Sequence, residues 1–202
     1  MCGIVGFVDW HKKSSEDVLK SMTTSIIHRG PDGGDQMLFS LENAQVGFGH
    51  RRLSIIDLTE TGKQPMFFEH LCITYNGEIY NFDEIKTELK ELGHHFVGHS
   101  DTEMVLHAYL QWGSNCLDKF IGMFAFVIYD RKNNELFCVR DRAGIKPFFY
   151  YYKDGVFLFA SELKAFHQHP AFYKEINLDA VAAFMQYGNV PTRTAFLKTL
   201  TN

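Results

Sequence analysis

Between residues 124 and 160, four strand-like runs (124–129, 136–140, 147–152 and 156–160) follow one another with links too short to hold a helix. Asn133-Asn134 and Asp154-Gly155 supply turn chemistry between neighbours, and links of that length force antiparallel pairing. The four read as a meander. Further runs at 3–8, 45–50 and 71–75 precede them, and several of the seven are apolar throughout, as buried strands are.

Helices carry their own punctuation. Ser14 and Asp17 can cap a helix with Val18, Met22 and Ile26 on one face, and Gly30 lies past its end. Asn81 with Glu84 opens a second, with Ile85, Leu89 and Leu92 inward and Gly93 as its stop. Ser100 with Glu103 opens a third, with Val105, Ala108 and Trp112 facing in and Gly113 closing it. Asn177 starts a last one that ends at Gly188. Strands and helices come in blocks and the strands pair antiparallel, so the expected class is α+β, with sheets stacked face to face and helices outside.

A chain of 202 residues with 46% hydrophobic content can bury a core and is expected to form one domain. Its formal charge of −4 comes without a basic run, which argues against nucleic acid or an anionic membrane surface and for a small polar substrate. No stretch approaches the roughly 20 apolar residues of a spanning helix. GIVGFV is too short and lacks the basic flank of a signal peptide, so a cytoplasmic protein is expected. Cys2, Cys72, Cys116 and Cys138 show no close spacing and imply no disulfide; Cys72 and Cys138 fall in apolar runs where buried thiols are common. His94, His95, His99, His167 and His169 repeat no ligand spacing, so no metal is expected.

Four stretches could carry chemistry. Cys2 reads either as a small residue opening an edge strand or, once Met1 is removed, as a nucleophile. The freed α-amine, of pKa about 7.7–8.0 against about 8.5 for the thiol, would then serve as its base. Gly3 would let substrate approach the backbone closely. In YNGEIYN (75–81), Asn76-Gly77 reads as a hairpin turn or as an oxyanion hole made by the Asn76 amide and the Gly77 N–H. Asp101 in GHSDTE sits at a helix start, where a carboxylate needs no ligand, and Arg52 in HRRLSIID can be a solvated cation. Yet a substrate with an α-ammonium and an α-carboxylate needs one acid and one arginine. HRGPDG (28–33) reads as a helix stop and turn.

Together MCGIVG, HRGPDG, RRLSIID, QPM, YNGEIYN, SDTE, GMFAFVIYD, RDRAGIKPFFY, FASELKA and QYGNVP resemble the N-terminal glutaminase domain of the glutamine-dependent asparagine synthetases. These belong to the class II, N-terminal-nucleophile glutamine amidotransferases. Other branches of the class resemble the chain at MCGI and HRG, whereas Pro31-Asp32-Gly33, Glu78-Ile79-Tyr80-Asn81 and Gly144-Ile145-Lys146-Pro147 look like the asparagine synthetase branch.

The resemblance implies a four-layer αββα sandwich, the Ntn-hydrolase fold. It makes Cys2 the nucleophile, Asn76 and Gly77 the oxyanion hole, Arg52 the partner of the glutamine α-carboxylate and Asp101 that of the α-ammonium. Glu78 and the backbone from Leu53 through Ser54 and Ile55 to Ile56 would line the pocket. It implies hydrolysis of L-glutamine through a glutamyl thioester, the ammonia passing to a C-terminal synthetase domain that uses ATP and Mg²⁺ to amidate aspartate. No Ser-Gly-Gly-x-Asp-Ser loop occurs in the chain, so residues 1–190 are expected to be the glutaminase domain, 191–202 the start of a linker, and no cofactor is expected here. Expected partners are L-glutamine and the synthetase domain, with a homodimer left open. Two alternatives stand beside this reading: an amidotransferase with another acceptor, or a non-catalytic glutamine-binding module if Met1 is retained.

Overall fold

The computed structural model describes residues 1–53 and 62–190 and the backbone of 200–201. One sheet has six strands in the order β10-β8-β9-β1-β3-β2: β1 (Gly3–Asp9), β2 (Gly33–Ser40), β3 (Gln45–Arg52), β8 (Phe149–Lys153), β9 (Val156–Ala160) and β10 (Leu200–Thr201). The other has four, in the order β4-β5-β6-β7: β4 (Met66–Phe68), β5 (Leu71–Ile79), β6 (Gly122–Asp130) and β7 (Glu135–Arg140). Every strand pair is antiparallel.

Strand alternation divides the apolar residues into three packed layers. Between the sheets, Ile4, Phe48, Cys72, Ala125, Val127, Tyr129 and Phe159 form one cluster. On the outer face of the six-stranded sheet, Val5, Phe7 and Leu158 pack on Leu19, Met22 and Ile26 of or just beyond α1 (Glu16–Ser25). On the outer face of the other, Ile73, Tyr75, Phe126 and Ile128 pack on Ile85 and Leu89 of α2 (Phe82–Glu91) and Met104 to Leu106 of α3 (Asp101–Trp112). β1 and β6 are therefore covered on both sides, which is why their sequences are apolar throughout. The result is the expected four-layer αββα sandwich. A fourth helix, α4 (Leu178–Tyr187), starts at Asn177, whose side chain accepts from Asp179 N and Ala180 N, and ends at Gly188 with φ +72°.

Several expectations change. The meander breaks after β7: β6 pairs with β7 in one sheet and β8 with β9 in the other, so residues 141–148 cross between sheets. That crossing is held by its own side chains. Asp141 accepts from Ile145 N and Lys146 N at 2.9 Å, while Arg140 donates to the carbonyls of Lys146 and Gly144, also at 2.9 Å. Asn76 and Gly77 form no turn; they lie inside β5, opposite Ala125 and Phe124 of β6. Ser15, not Ser14, caps α1, because Ser14 is bonded to Asp9 and His169. Asn81 makes no side-chain cap on α2; it bridges to Lys119 O and Ile121 N instead. Cys138, on the sheet's edge strand β7, is exposed rather than buried. Strands β2 and β4 have no clear apolar signature: β2 opens Gly-Gly-Asp and forms one edge of its sheet, and β4 spans only three residues.

Candidate active site

Cys2 lies one residue before β1, where the β1–β3 ladder ends with Gly3 opposite Arg51. The main chain of Leu53, just past β3, meets its sulfur: Leu53 N–H donates to Cys2 Sγ at 3.5 Å, and the thiol reaches Leu53 O at 3.8 Å. Arg29 Nε–H donates to the Cys2 carbonyl at 3.0 Å. A Cβ on Gly3 would stand 2.7 Å from Ile26 Cδ1 and 3.2 Å from Arg29 Cδ. The helix side of the strand thus leaves little room for a side chain at this position. Met1 is exposed, and its sulfur accepts from Lys146 Nζ at 3.6 Å.

β5 brings two neighbours to opposite faces. Tyr75 joins the helical layer, and Asn76 turns to the inter-sheet face it shares with Cys72 and Thr74. Thr74 Oγ1 donates across to Gly49 O of β3 at 3.4 Å, so this face meets the sheet that carries Cys2. Asn76 is 2% exposed, and its Nδ2 has no acceptor among the described residues. Buried amide donors are rarely left unmet. A donor held ready in this way suits an oxygen that gains negative charge. At Gly77 a Cβ would come within 2.5 Å of Met123 O, so the close approach of β5 to β6 requires glycine there.

Asp101 is the first residue of α3, capped by Ser100 Oγ, which accepts from Glu103 N at 3.3 Å. Its carboxylate faces β5: Oδ2 accepts from Tyr75 OH at 2.6 Å and from Ile79 N at 3.2 Å. Burial pushes the carboxyl above the ordinary aspartate value, the hydrogen bonds from Tyr75 and Ile79 draw it partly back, and the Glu78 charge adds to the rise. The Tyr75 hydroxyl is itself driven well above the ordinary phenol range, first by burial, then by Asp101, with smaller contributions from Glu78 and Cys2. Cys2, Glu78 and Asp101 thus all sit within electrostatic reach of Tyr75. Arg52 is half-buried and pairs through its backbone with Pro31 and Asp32. Ser54, Ile55 and Ile56 lie outside the described residues.

Residue-by-residue reading missed the supports behind these groups. Gln64, in QPM, accepts from Tyr75 N–H at 2.6 Å and donates to Thr102 Oγ1 at 3.3 Å, tying β5 to α3. His50 of β3 bonds Tyr75 O through Nε2 at 3.2 Å, linking the two sheets beside Asn76. Burial, reinforced by Arg52 and Arg51, pushes His50 down to about 3, so it is neutral and Nε2–H is the donor. The presence of Gln64 and Tyr75 in quoted motifs was the only signal for them. Among the described residues no group of three or more His, Cys, Asp or Glu side chains is placed to hold a metal ion. His94 instead pairs with His107 at 2.9 Å and with Gln111 at 2.8 Å. No helix among the described residues is long and apolar enough to cross a membrane.

A family model described as a glutamine amidotransferase domain matches residues 1–202. Asparagine synthetase [glutamine-hydrolyzing] 3 of Bacillus subtilis is 40% identical over 200 residues, covering 96% of this chain and 31% of that protein. Putative asparagine synthetase [glutamine-hydrolyzing] 2 of Methanocaldococcus jannaschii is 36% identical over 219 residues, covering 98% of this chain and 41% of that protein. The chain thus spans well under half the length of both relatives. Among solved structures, the glutamine phosphoribosylpyrophosphate amidotransferase of B. subtilis superposes with a TM-score of 0.71 at 21% identity, covering 87% of this chain and 45% of that one, and it shares the fold.

Proposed function

The chain belongs to the glutamine amidotransferase family, and from that premise we propose that it hydrolyses L-glutamine to glutamate and ammonia with Cys2, freed of Met1, as nucleophile. The Cys2 sulfur attacks the side-chain amide carbon, forming a C–S bond and shifting charge to the carbonyl oxygen. Asn76 Nδ2 and Gly77 N–H receive that oxygen. The α-amine of Cys2 takes the thiol proton and passes it to the nitrogen as the C–N bond breaks, releasing ammonia. Water then hydrolyses the γ-glutamyl thioester, giving glutamate and restoring the thiol. Arg52 pairs with the substrate α-carboxylate and Asp101 with the α-ammonium, beside Glu78.

The observation that carries this reading is the buried Nδ2 of Asn76, without an acceptor among the described residues, on the face turned toward the sheet that presents Cys2. The names of the relatives support a place for this glutaminase in an asparagine synthetase; the proposal further takes residues 1–190 as the glutaminase domain, 191–202 as the start of a linker, and the enzyme as cytoplasmic. In the domain beyond it, ATP and Mg²⁺ would activate aspartate to accept the ammonia. The direct test is incubation of the Cys2-exposed chain with 6-diazo-5-oxo-L-norleucine, a glutamine-mimicking electrophile, followed by peptide mass analysis. One adduct on Cys2, prevented by excess glutamine, is expected. Labelling that spares Cys2 would refute the assignment.

A further inference from the structure

HRGPDG and FASELKA, 133 residues apart between Arg29 and Glu162, meet at the carbonyl of Cys2. Arg29 ends the short 3-10 turn after α1, and its Nε–H donates to Cys2 O at 3.0 Å. Its Nη1 donates to Glu162 Oε1 at 3.2 Å, and with the side chain 9% exposed its Nη2 is buried without an acceptor among the described residues. Glu162 is gripped from the solvent side as well. His28 Nε2–H donates to the same Oε1 at 2.8 Å, Lys164 Nζ stands 3.4 Å from Oε2, and Lys164 also donates to His28 Nδ1 at 2.9 Å. Burial alone would raise the Glu162 carboxyl, but the hydrogen bonds from His28 and Arg29 outweigh it and hold the group below the ordinary glutamate value.

The preceding residue pins the next step of the same strand. Ser161 N–H donates to Ile4 O at 2.8 Å, and Ser161 Oγ accepts from Ile4 N at 3.0 Å. Ser161 thus extends the β1–β9 ladder, which pairs Val5 with Ala160, by one step to Ile4, and Glu162 reaches Cys2 through the Arg29 side chain. Cys2 precedes β1 and has no ladder partner of its own. A residue that becomes the chain terminus would fray unless its main chain were tied down from elsewhere.

We propose that Glu162 is a positioning residue: acting through Arg29, it locks the Cys2 carbonyl and so fixes where the amine and thiol of that residue point. The inference rests on the reading of Cys2 as nucleophile. Without Glu162, the guanidinium would be left largely buried with the Cys2 carbonyl as its one remaining acceptor among the described residues, and it would turn toward water. The reacting atoms would then be misplaced without any change to the groups that hold glutamine.

The test uses the chain processed to Cys2 and three variants, with steady-state kinetics and the ¹⁵N order parameter of the Gly3 amide, which shares its peptide plane with the Cys2 carbonyl. Glu162→Ala is expected to lower kcat by about 10- to 100-fold with KM within a few-fold, the cost of misplacing a reacting group by about an ångström. The Gly3 order parameter should fall from about 0.85 toward 0.6. Glu162→Gln keeps an acceptor for Arg29 and should fall between, and it decides the matter if the alanine variant does not fold. Lys164→Met, which removes one solvent-side contact of Glu162 and leaves Arg29 on it, should leave both readouts unchanged. A Glu162 variant that keeps the Gly3 order parameter, whether or not kcat falls, overturns the clamp, and so does one that loosens Gly3 at full kcat. Absence of glutamine turnover in the unsubstituted chain would instead contradict the proposed function, and the order parameter would still decide whether Glu162 fixes Cys2.

Discussion

Tyr75 donates its hydroxyl to Asp101 Oδ2 at 2.6 Å, joining the strand that carries Asn76 to the first turn of α3. This bond and that from Ile79 N fall on the same carboxylate oxygen, and the carboxylate they hold is the one proposed to receive the substrate ammonium. The arrangement is costly for the empty protein, because burial disfavours the charged carboxylate. Its folded-state pKa is raised, so its contribution to stability is fully present below the unfolded aspartate value and is lost as pH rises through the folded one.

Asp101→Asn therefore separates the two roles. At neutral pH the variant should be at least as stable as the parent, since it keeps an acceptor for Tyr75 and removes a buried charge. Glutamine should bind about 10- to 100-fold more weakly, as loss of one charged hydrogen bond of roughly 1.5–3 kcal/mol predicts. Chemical denaturation and KM together check this. Normal KM with a large loss of stability would return Asp101 to the part of a helix-start residue.

Asn76→Ala should leave glutamine binding largely in place and lower kcat by roughly 10²- to 10³-fold, because the amide meets charge that develops only in the transition state. Nδ2 has no acceptor among the described residues, so folding should survive its removal. Unchanged kcat would make Asn76 an ordinary strand residue.

His50 gives a pH signature of the sheet-to-sheet link. Its folded pKa of about 3 lies below the unfolded value of 6.5, so the unfolded chain binds the extra proton first and stability falls as pH drops through that window. His50→Gln can keep a donor to Tyr75 O but does not titrate. Between pH 4 and 6 the slope of unfolding free energy against pH should become shallower by about 1.4 kcal/mol per pH unit, one proton's worth. Urea titrations across that range would read it, and an unaltered slope would mean that His50 is not a buried neutral donor.

The fold was legible where one element decides its own form. β1, β5, β6 and β9 announce themselves by apolar runs, and Ser100, Asn177 and Gly188 mark helix ends as their chemistry predicts. The reading failed where a partner decides. Asn76-Gly77 has the composition of a turn, but β6 is long enough to pair through it as far as Gly122. Residues 141–148 resemble the link of a meander, but Arg140 and Asp141 fold them into a crossing between sheets. Within the site, the sequence and its family resemblance single out Cys2, Arg52, Asn76 and Asp101. Tyr75 against Asp101, His50 against Tyr75 and Glu162 against Arg29 are pairings of side chains distant in sequence, and no local pattern encodes them.

The most direct test of the account is glutamine turnover by two forms of one chain, Met1-retained and Cys2-exposed, each verified by intact mass. In the first the nitrogen of Cys2 is an amide and cannot accept a proton; in the second it is an amine of ordinary pKa about 7.7–8.0. Both should fold alike, since Met1 is exposed and its one hydrogen bond among the described residues is from Lys146. The account predicts hydrolysis by the Cys2-exposed form and essentially none by the other. Equal turnover by the two would contradict the N-terminal nucleophile mechanism and reduce Cys2 to a residue that merely precedes a strand.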